Sequence, residues 1–244
     1  MNTVTLPTNV SSVLSTFIAA AKKAFGEDLV SVVLYGSGAE GKLRPTSDVN
    51  LILLLARFQR EQADHLREPL RLAHAAIKLR AMFLLRDELK PASQAFAVKF
   101  GDIARRHLVL YGEDPFAAVS VSRDDAIFRL KQTLLNLTLR LREAYISRSL
   151  REEQATAMIA DLAGPLRSCA ATLLELEGQP AASPKEALEH VAAALPGDSE
   201  RVANVRLISD VRQRQALAPG TAAPALFHLV DLAHAMWART ANLK

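Results

Sequence analysis

One cysteine, Cys169, is all that this 244-residue chain contains. No disulfide can form within it, and such usage fits a reducing cytosol, so the expected location is cytoplasmic. Ala170, Ala171 and Leu173 surround that cysteine, which reads as a buried structural thiol rather than a nucleophile. Aromatic residues make up only 5% of the chain, and the dominance of Ala and Leu favours helices. Also missing is any uncharged apolar run of about 18 residues, so no membrane span is expected. Met1 to Thr8 brings no basic start ahead of an apolar stretch, and no signal peptide is expected. Neither sign of charge dominates. A net charge of +4 and a pI near 9.4 are compatible with a nucleotide or nucleic-acid partner, but a solvated surface slightly rich in Arg gives the same numbers.

What is present is an ordinary globular composition, half hydrophobic and 23% charged, long enough for two domains or for one with an appendage. The first part alternates helical and strand patterns. Asn9–Phe25 carries apolar residues at helical spacing and stops at Gly26. Leu29–Tyr35 is a short β-branched run, a strand. Gly36–Ser47 is rich in turn residues. Asn50–Leu55 is almost wholly apolar, as a strand buried on both faces is. Gln59–Ile77 returns to helical spacing, with Leu66, Leu70, Ala73 and Ile77 on one face. Lys78–Leu85 is a third strand candidate, Asp87–Ser93 a short helix and turn, Ala95–Ile103 a further strand candidate, and His107–Tyr111 leads into a turn at Gly112-Glu113-Asp114-Pro115. This alternation predicts a mixed α/β unit.

Beyond a seam near Val119–Arg123 the pattern becomes helical throughout. Asp124–Tyr145, capped by Asp124, and Glu152–Leu176, bent at Gly164-Pro165, are long amphipathic helices. Glu186–Leu195 follows Pro184, and Glu200–Leu217 and Ala225–Asn242 complete a bundle, with Ala222-Ala223-Pro224 in a linker. The expected domains are 1–118, α/β, and 119–244, an all-α helical bundle. Phe227, Leu229, Leu232, Met236 and Trp237 form a candidate apolar surface for a homodimer, with core packing as the simpler use.

One stretch carries chemistry. Gly36-Ser37 is followed by three residues, Gly41, five residues, Ser47-Asp48, one residue and Asn50. A glycine backbone can lie close to a phosphate because no Cβ intervenes, and successive N–H groups at a turn form an anion cradle. This pattern, placed strand, turn, strand after a helix, resembles the signature of the nucleotidyltransferase superfamily, which includes DNA polymerase β, aminoglycoside nucleotidyltransferases and small bacterial MNT proteins. In that family the second strand opens with Ser-Asp-x-Asp. The resemblance covers roughly Leu29–Leu55 and extends weakly to Ala95–Ile103 and to Val109–Pro115.

The resemblance implies a nucleoside triphosphate held with Mg²⁺ (or Mn²⁺) and a nucleotidyl group passed to an acceptor, whether small molecule, protein or RNA. It assigns nucleotide binding to Gly36 and Ser37, catalysis to Asp48 and Asn50, and metal ligation to Asp48, Asn50 and Asp102; Lys42 and Arg44 follow the turn, where they either contact phosphate or are simply exposed loop residues. Residues two apart on a strand are about 6.6 Å apart at about 3.3 Å rise each, a spacing from which carboxylates reach two metal ions about 3.5–4 Å apart. Here the second acid is replaced by Asn50, whose amide oxygen brings no charge. The third acid is expected from the Ala95–Ile103 strand, where one alignment places Lys99 at the acidic position and another offers Asp102. Asp102 reads equally as a cap or turn residue, and Glu40 in the loop is another source of a carboxylate. Two functions therefore follow: a nucleotidyltransferase of weak activity, or a catalytically degenerate module for nucleotide sensing or protein interaction.

Overall fold

A computed structural model describes residues 6–44, 47–117, 119–195, 203, 205–208, 211 and 217–243. The chain divides into two compact units, Met1–Ala95 with Phe100–Ser120, and Phe96–Lys99 with Val121–Lys244.

The first unit is built on four strands, β1 (Leu29–Tyr35), β2 (Val49–Leu55), β3 (Leu79–Leu85) and β4 (His107–Gly112), in the order β3-β2-β1-β4. β1 is antiparallel to both β2 and β4, while β2 and β3 run parallel. The parallel pair needs a crossover, which α2 (Arg60–Ile77) supplies. β2 lies inside the sheet, and Leu51, Ile52, Leu53 and Leu55 are each fully buried, as its unbroken apolar sequence requires.

Side chains alternate across the sheet and divide two cores. Val32, Leu34, Leu51, Leu53 and Leu79 face α1 (Thr8–Phe25) and α2. α1 contributes Val10, Leu14, Phe17, Ala21 and Phe25, a single stripe at three- and four-residue steps, and ends at Gly26 with φ of +54°, where the left-handed backbone suits glycine. Val33, Ile52, Leu54 and Leu84 face the other way and meet Phe100, Ile103 and Phe116. At the β1–β4 edge the Ser31 hydroxyl lies 3.0 Å from the Tyr111 carbonyl and 2.9 Å from that of Glu113.

Residues Ala95–Ile103 do not form the expected strand. They belong to α3 (Leu89–Ala95) and α4 (Ala97–Arg105). The buried positions, Ala97, Val98, Phe100 and Ile103, step by helical intervals, and the short apolar alternation was too brief to separate the two periods.

In the second unit α5 (Arg123–Arg148), α6 (Glu152–Leu176), α7 (Pro184–Ala193) and α8 (Ala222–Arg239) enclose one apolar core. α5 is capped by Ser122, not Asp124: its side chain accepts the Asp125 N–H at 3.1 Å. α6 runs through Gly164-Pro165 and is long and apolar enough to cross a membrane by length and composition, but 61% of its most apolar window is buried within the protein. Cys169 lies in this core, where burial pushes its thiol up to about 12. Ser183 caps α7 and Pro184 opens it. Ala222-Ala223-Pro224 is the first turn of α8 rather than a linker, with Ala222 fully buried. Leu229, Leu232 and Met236 belong to the core, which leaves only Phe227 and Trp237 of the candidate apolar surface exposed. Of the helix expected over Glu200–Leu217, residues 203, 205–208 and 211 are helical, residue 217 is not, and the rest lie outside the described residues.

Candidate functional site

β1 delivers the chain to Tyr35, and the helical turn Gly36–Gly38 follows at once. Gly36 has φ of +74°, a conformation in which any other residue is strained. Its N–H donates to the Arg106 carbonyl at 3.0 Å, and its carbonyl accepts the N–H groups of Ala39 and Glu40 at 3.0 and 3.3 Å. The Ser37 carbonyl accepts the Lys42 N–H at 2.9 Å. The first N–H groups of such a turn have no acceptor inside it.

Asp48 stands immediately before β2, and Asn50 is the second residue of that strand. The Asn50 amide nitrogen donates to the Asp48 backbone carbonyl at 3.3 Å. Asn50 is level with Tyr35 of β1 on one side and Arg80 of β3 on the other, and Tyr35 is level with His107 of β4. Residues directly opposite in a sheet share a face. Four strands therefore contribute Arg80, Asn50, Tyr35 and His107 to one polar row, on the face that carries Ile52 and Val33 one step further along.

The charges in this row are paired. The Arg80 Nε lies 3.3 Å from the Asp48 carboxylate, with the arginine side chain 66% exposed and the aspartate 37%. Burial raises the Tyr35 hydroxyl above its ordinary pKa, and the nearby Arg80 charge opposes that by less. His107 Nε2 is 3.0 Å from Asp114 and its Nδ1 2.9 Å from the Ala104 carbonyl.

The remaining expected site residues are engaged elsewhere. Asp102 lies on α4, where Arg106 Nε donates to one carboxylate oxygen at 2.9 Å and the guanidinium also meets the other. Arg106 donates further to Glu40 at 2.8 Å, and Glu40 lies 3.5 Å from the exposed Lys42 ammonium. Lys99 is exposed on α4, with its pKa lowered by partial desolvation, and groups with the second unit. Three residues that the fold places beside these positions, Tyr35, Arg80 and Arg106, have no signal in the spacing of the motif. Arg80 was visible inside a predicted strand, but its level beside Asn50 is set by the α2 crossover.

The fold matches a known structure over almost its whole length. The spectinomycin adenyltransferase of Enterococcus faecialis, solved with ATP and spectinomycin, superposes at TM-score 0.67 over 93% of this chain and 98% of that one, at 13% identity. The chain has the nucleotidyltransferase superfamily fold. A predicted protein adenylyltransferase of Methanocaldococcus jannaschii is 33% identical over 55 residues, 22% of this chain and 37% of that protein, so the chain matches little more than a third of that relative's length. A toxin–antitoxin structure with AMP-PNP superposes at TM-score 0.28 and 17% identity over 56% of this chain and 98% of that one, too low to carry an argument. No family model matches the chain.

A nucleotidyltransferase fold implies a divalent metal, and the donor set at this site does not fit one. Among the described residues no group of three or more His, Cys, Asp or Glu is gathered to hold an ion. Among the described residues Asp48 is the carboxylate that the motif places at the mouth of β2, and Arg80 already faces it. Two Mg²⁺ ions would bring four positive charges to a position whose one negative charge is offset by a guanidinium, and hard divalent cations need several oxygen ligands, carboxylates foremost.

Proposed function

We propose that this chain is a nucleotide-binding protein built on the nucleotidyltransferase fold that does not carry out two-metal nucleotidyl transfer. The observation that carries the reading is the 3.3 Å approach of Arg80 to Asp48, which places a positive charge beside the position where transfer chemistry calls for a cluster of carboxylates. Two-metal catalysis works by clamping the attacking and leaving oxygens between ions held by such a cluster. With Asn50 neutral and Asp102 paired to Arg106, the cluster is reduced to one residue. The Gly36–Gly38 turn keeps the left-handed glycine that lets backbone approach a phosphate, so binding is retained in this reading while the metal-dependent step is lost.

The experiment has two parts. Thermal unfolding with each nucleoside triphosphate tests binding: at a concentration 100 times the Kd the folded state gains about 2.7 kcal/mol. Release of pyrophosphate, measured with Mg²⁺ and with Mn²⁺ and with spectinomycin, a protein mixture or RNA as acceptor, tests transfer. Stabilisation without pyrophosphate release is the expected result. Turnover that disappears in Asp48→Ala would overturn the reading in favour of an active transferase. No stabilisation by any nucleotide would leave a protein-interaction scaffold.

A further inference from the structure

The Arg80–Asp48 pair joins β3 to the residue that precedes β2, through an exposed arginine and a partly buried aspartate. β3 holds Arg80 level with Asn50, and Asn50 turns its amide nitrogen onto the Asp48 backbone. The Arg80 side chain is 66% exposed. An ion pair so open to water is weak, so the guanidinium can leave the carboxylate for a stronger partner. Phosphate is such a partner: a guanidinium meets it through two parallel N–H···O contacts, a geometry in which arginine surpasses an ammonium. Two strand spacings, about 10 Å, separate Arg80 from the end of β1, with Asn50 between them as a neutral residue that neither repels a phosphate nor competes for the arginine.

Resting on the nucleotide-binding reading above, we propose that Arg80 takes over the divalent cation's part in phosphate binding, so that this chain binds the phosphate chain of a nucleotide without metal. Asp48 acts as the placeholder that Arg80 occupies when no phosphate is present. Removing the placeholder strengthens binding, and removing Arg80 weakens it.

Titration calorimetry of the full chain with ATP, and with inorganic tripolyphosphate, in excess MgCl₂ and in EDTA, tests this. The wild type should bind ATP in EDTA at least as tightly as in Mg²⁺. Arg80→Ala and Arg80→Gln should weaken binding by about tenfold or more, equivalent to about 1.4 kcal/mol per tenfold, while their thermal unfolding stays near wild type. Asp48→Asn should tighten binding. The double variant Asn50→Asp with Arg80→Glu should reverse the metal dependence and take up Mn²⁺, detected by paramagnetic resonance, where the wild type does not. Tripolyphosphate binding as tightly as ATP would also support the role of Arg80 and would place recognition in the phosphates rather than the base. ATP binding that vanishes in EDTA, or that is unchanged in a folded Arg80→Ala protein, overturns the inference and leaves the nucleotide-binding reading standing. Absence of ATP binding under every condition overturns both.

Discussion

Arg106 and Glu40 are 66 positions apart in sequence, and the Arg106 guanidinium donates to the Glu40 carboxylate at 2.8 Å. The same residue accepts the Gly36 N–H on its carbonyl at 3.0 Å and grips Asp102 with its other guanidinium nitrogens. One arginine thus fastens both ends of the Gly-Ser loop to the end of α4. Only 22% of its side chain is exposed, so little water stands ready to replace it.

Arg106→Ala leaves Glu40 and Asp102 facing each other's neighbourhood without their shared cation. A lost partner of this kind costs about 1–3 kcal/mol. Urea unfolding should show the midpoint falling with an unchanged slope, and hydrogen exchange should rise in residues 36–42.

Gly112 ends β4 with φ of +76°. A Cβ added there would lie 2.1 Å from the Val30 carbonyl oxygen, which is backbone and cannot swing away. Gly112→Ala combines a strained left-handed residue with that overlap and should lose at least about 2 kcal/mol. Gly36→Ala differs instructively: a Cβ there meets nothing within 4 Å, so its cost is confined to backbone strain of about 1–3 kcal/mol. Chemical denaturation of the two variants side by side should rank Gly112→Ala as the more damaging.

Asp28 gives the first unit an acid-sensitive contact. Hydrogen bonds from Arg57 and then from Gln62 hold its carboxyl below the ordinary carboxylate value. The folded pKa is lower than the unfolded one, so the stabilisation is complete above about pH 3.9 and is lost as pH falls through the folded value. Asp28→Asn should therefore lower the unfolding temperature at pH 7, and the gap to wild type should close on acidification. A gap that widened below pH 4 would contradict the assignment.

Neighbouring leucines on α5 should respond in opposite ways. Leu141 is fully buried and Leu139 is 54% exposed. Leu141→Ala should cost about 2–5 kcal/mol through a cavity in the helical core, and Leu139→Ala about 0.5 kcal/mol or less. Equal losses in a denaturant titration would mean that the exposed face of α5 is covered in solution.

Much of this architecture could be read from residue order. Leu29–Tyr35 and the apolar run through Leu55 announce strands because β-branched and leucine runs of that length, bounded by turn residues, have few other uses. The ends of α6, Glu152 and Leu176, were marked by a helical pattern that Gly178 closes. Shorter elements were harder. Ala95–Ile103 spans about two and a half helical turns, and an alternating pattern over so few residues fits either period. Ala222-Ala223-Pro224 resembled a linker because proline interrupts helices, yet proline in a first turn breaks no internal hydrogen bond. At the candidate site, Gly36, Ser37, Asp48 and Asn50 are close in sequence, so their spacing could be read directly. Arg80, Tyr35 and His107 join them only through sheet pairing, a long-range property that no spacing encodes.

The crossover from β2 to β3 has a bearing on how such a site changes over time. Because neighbouring side chains on a strand point to opposite faces, the number of residues between Leu55 and Leu79 decides which side chain stands beside Asn50. A one-residue deletion or insertion in that connection would turn Arg80 toward the packed layer of α1 and α2 and bring Leu79 or Ala81 to the polar row. The length of a helix remote from the row thus determines whether a guanidinium or a hydrocarbon stands beside Asn50.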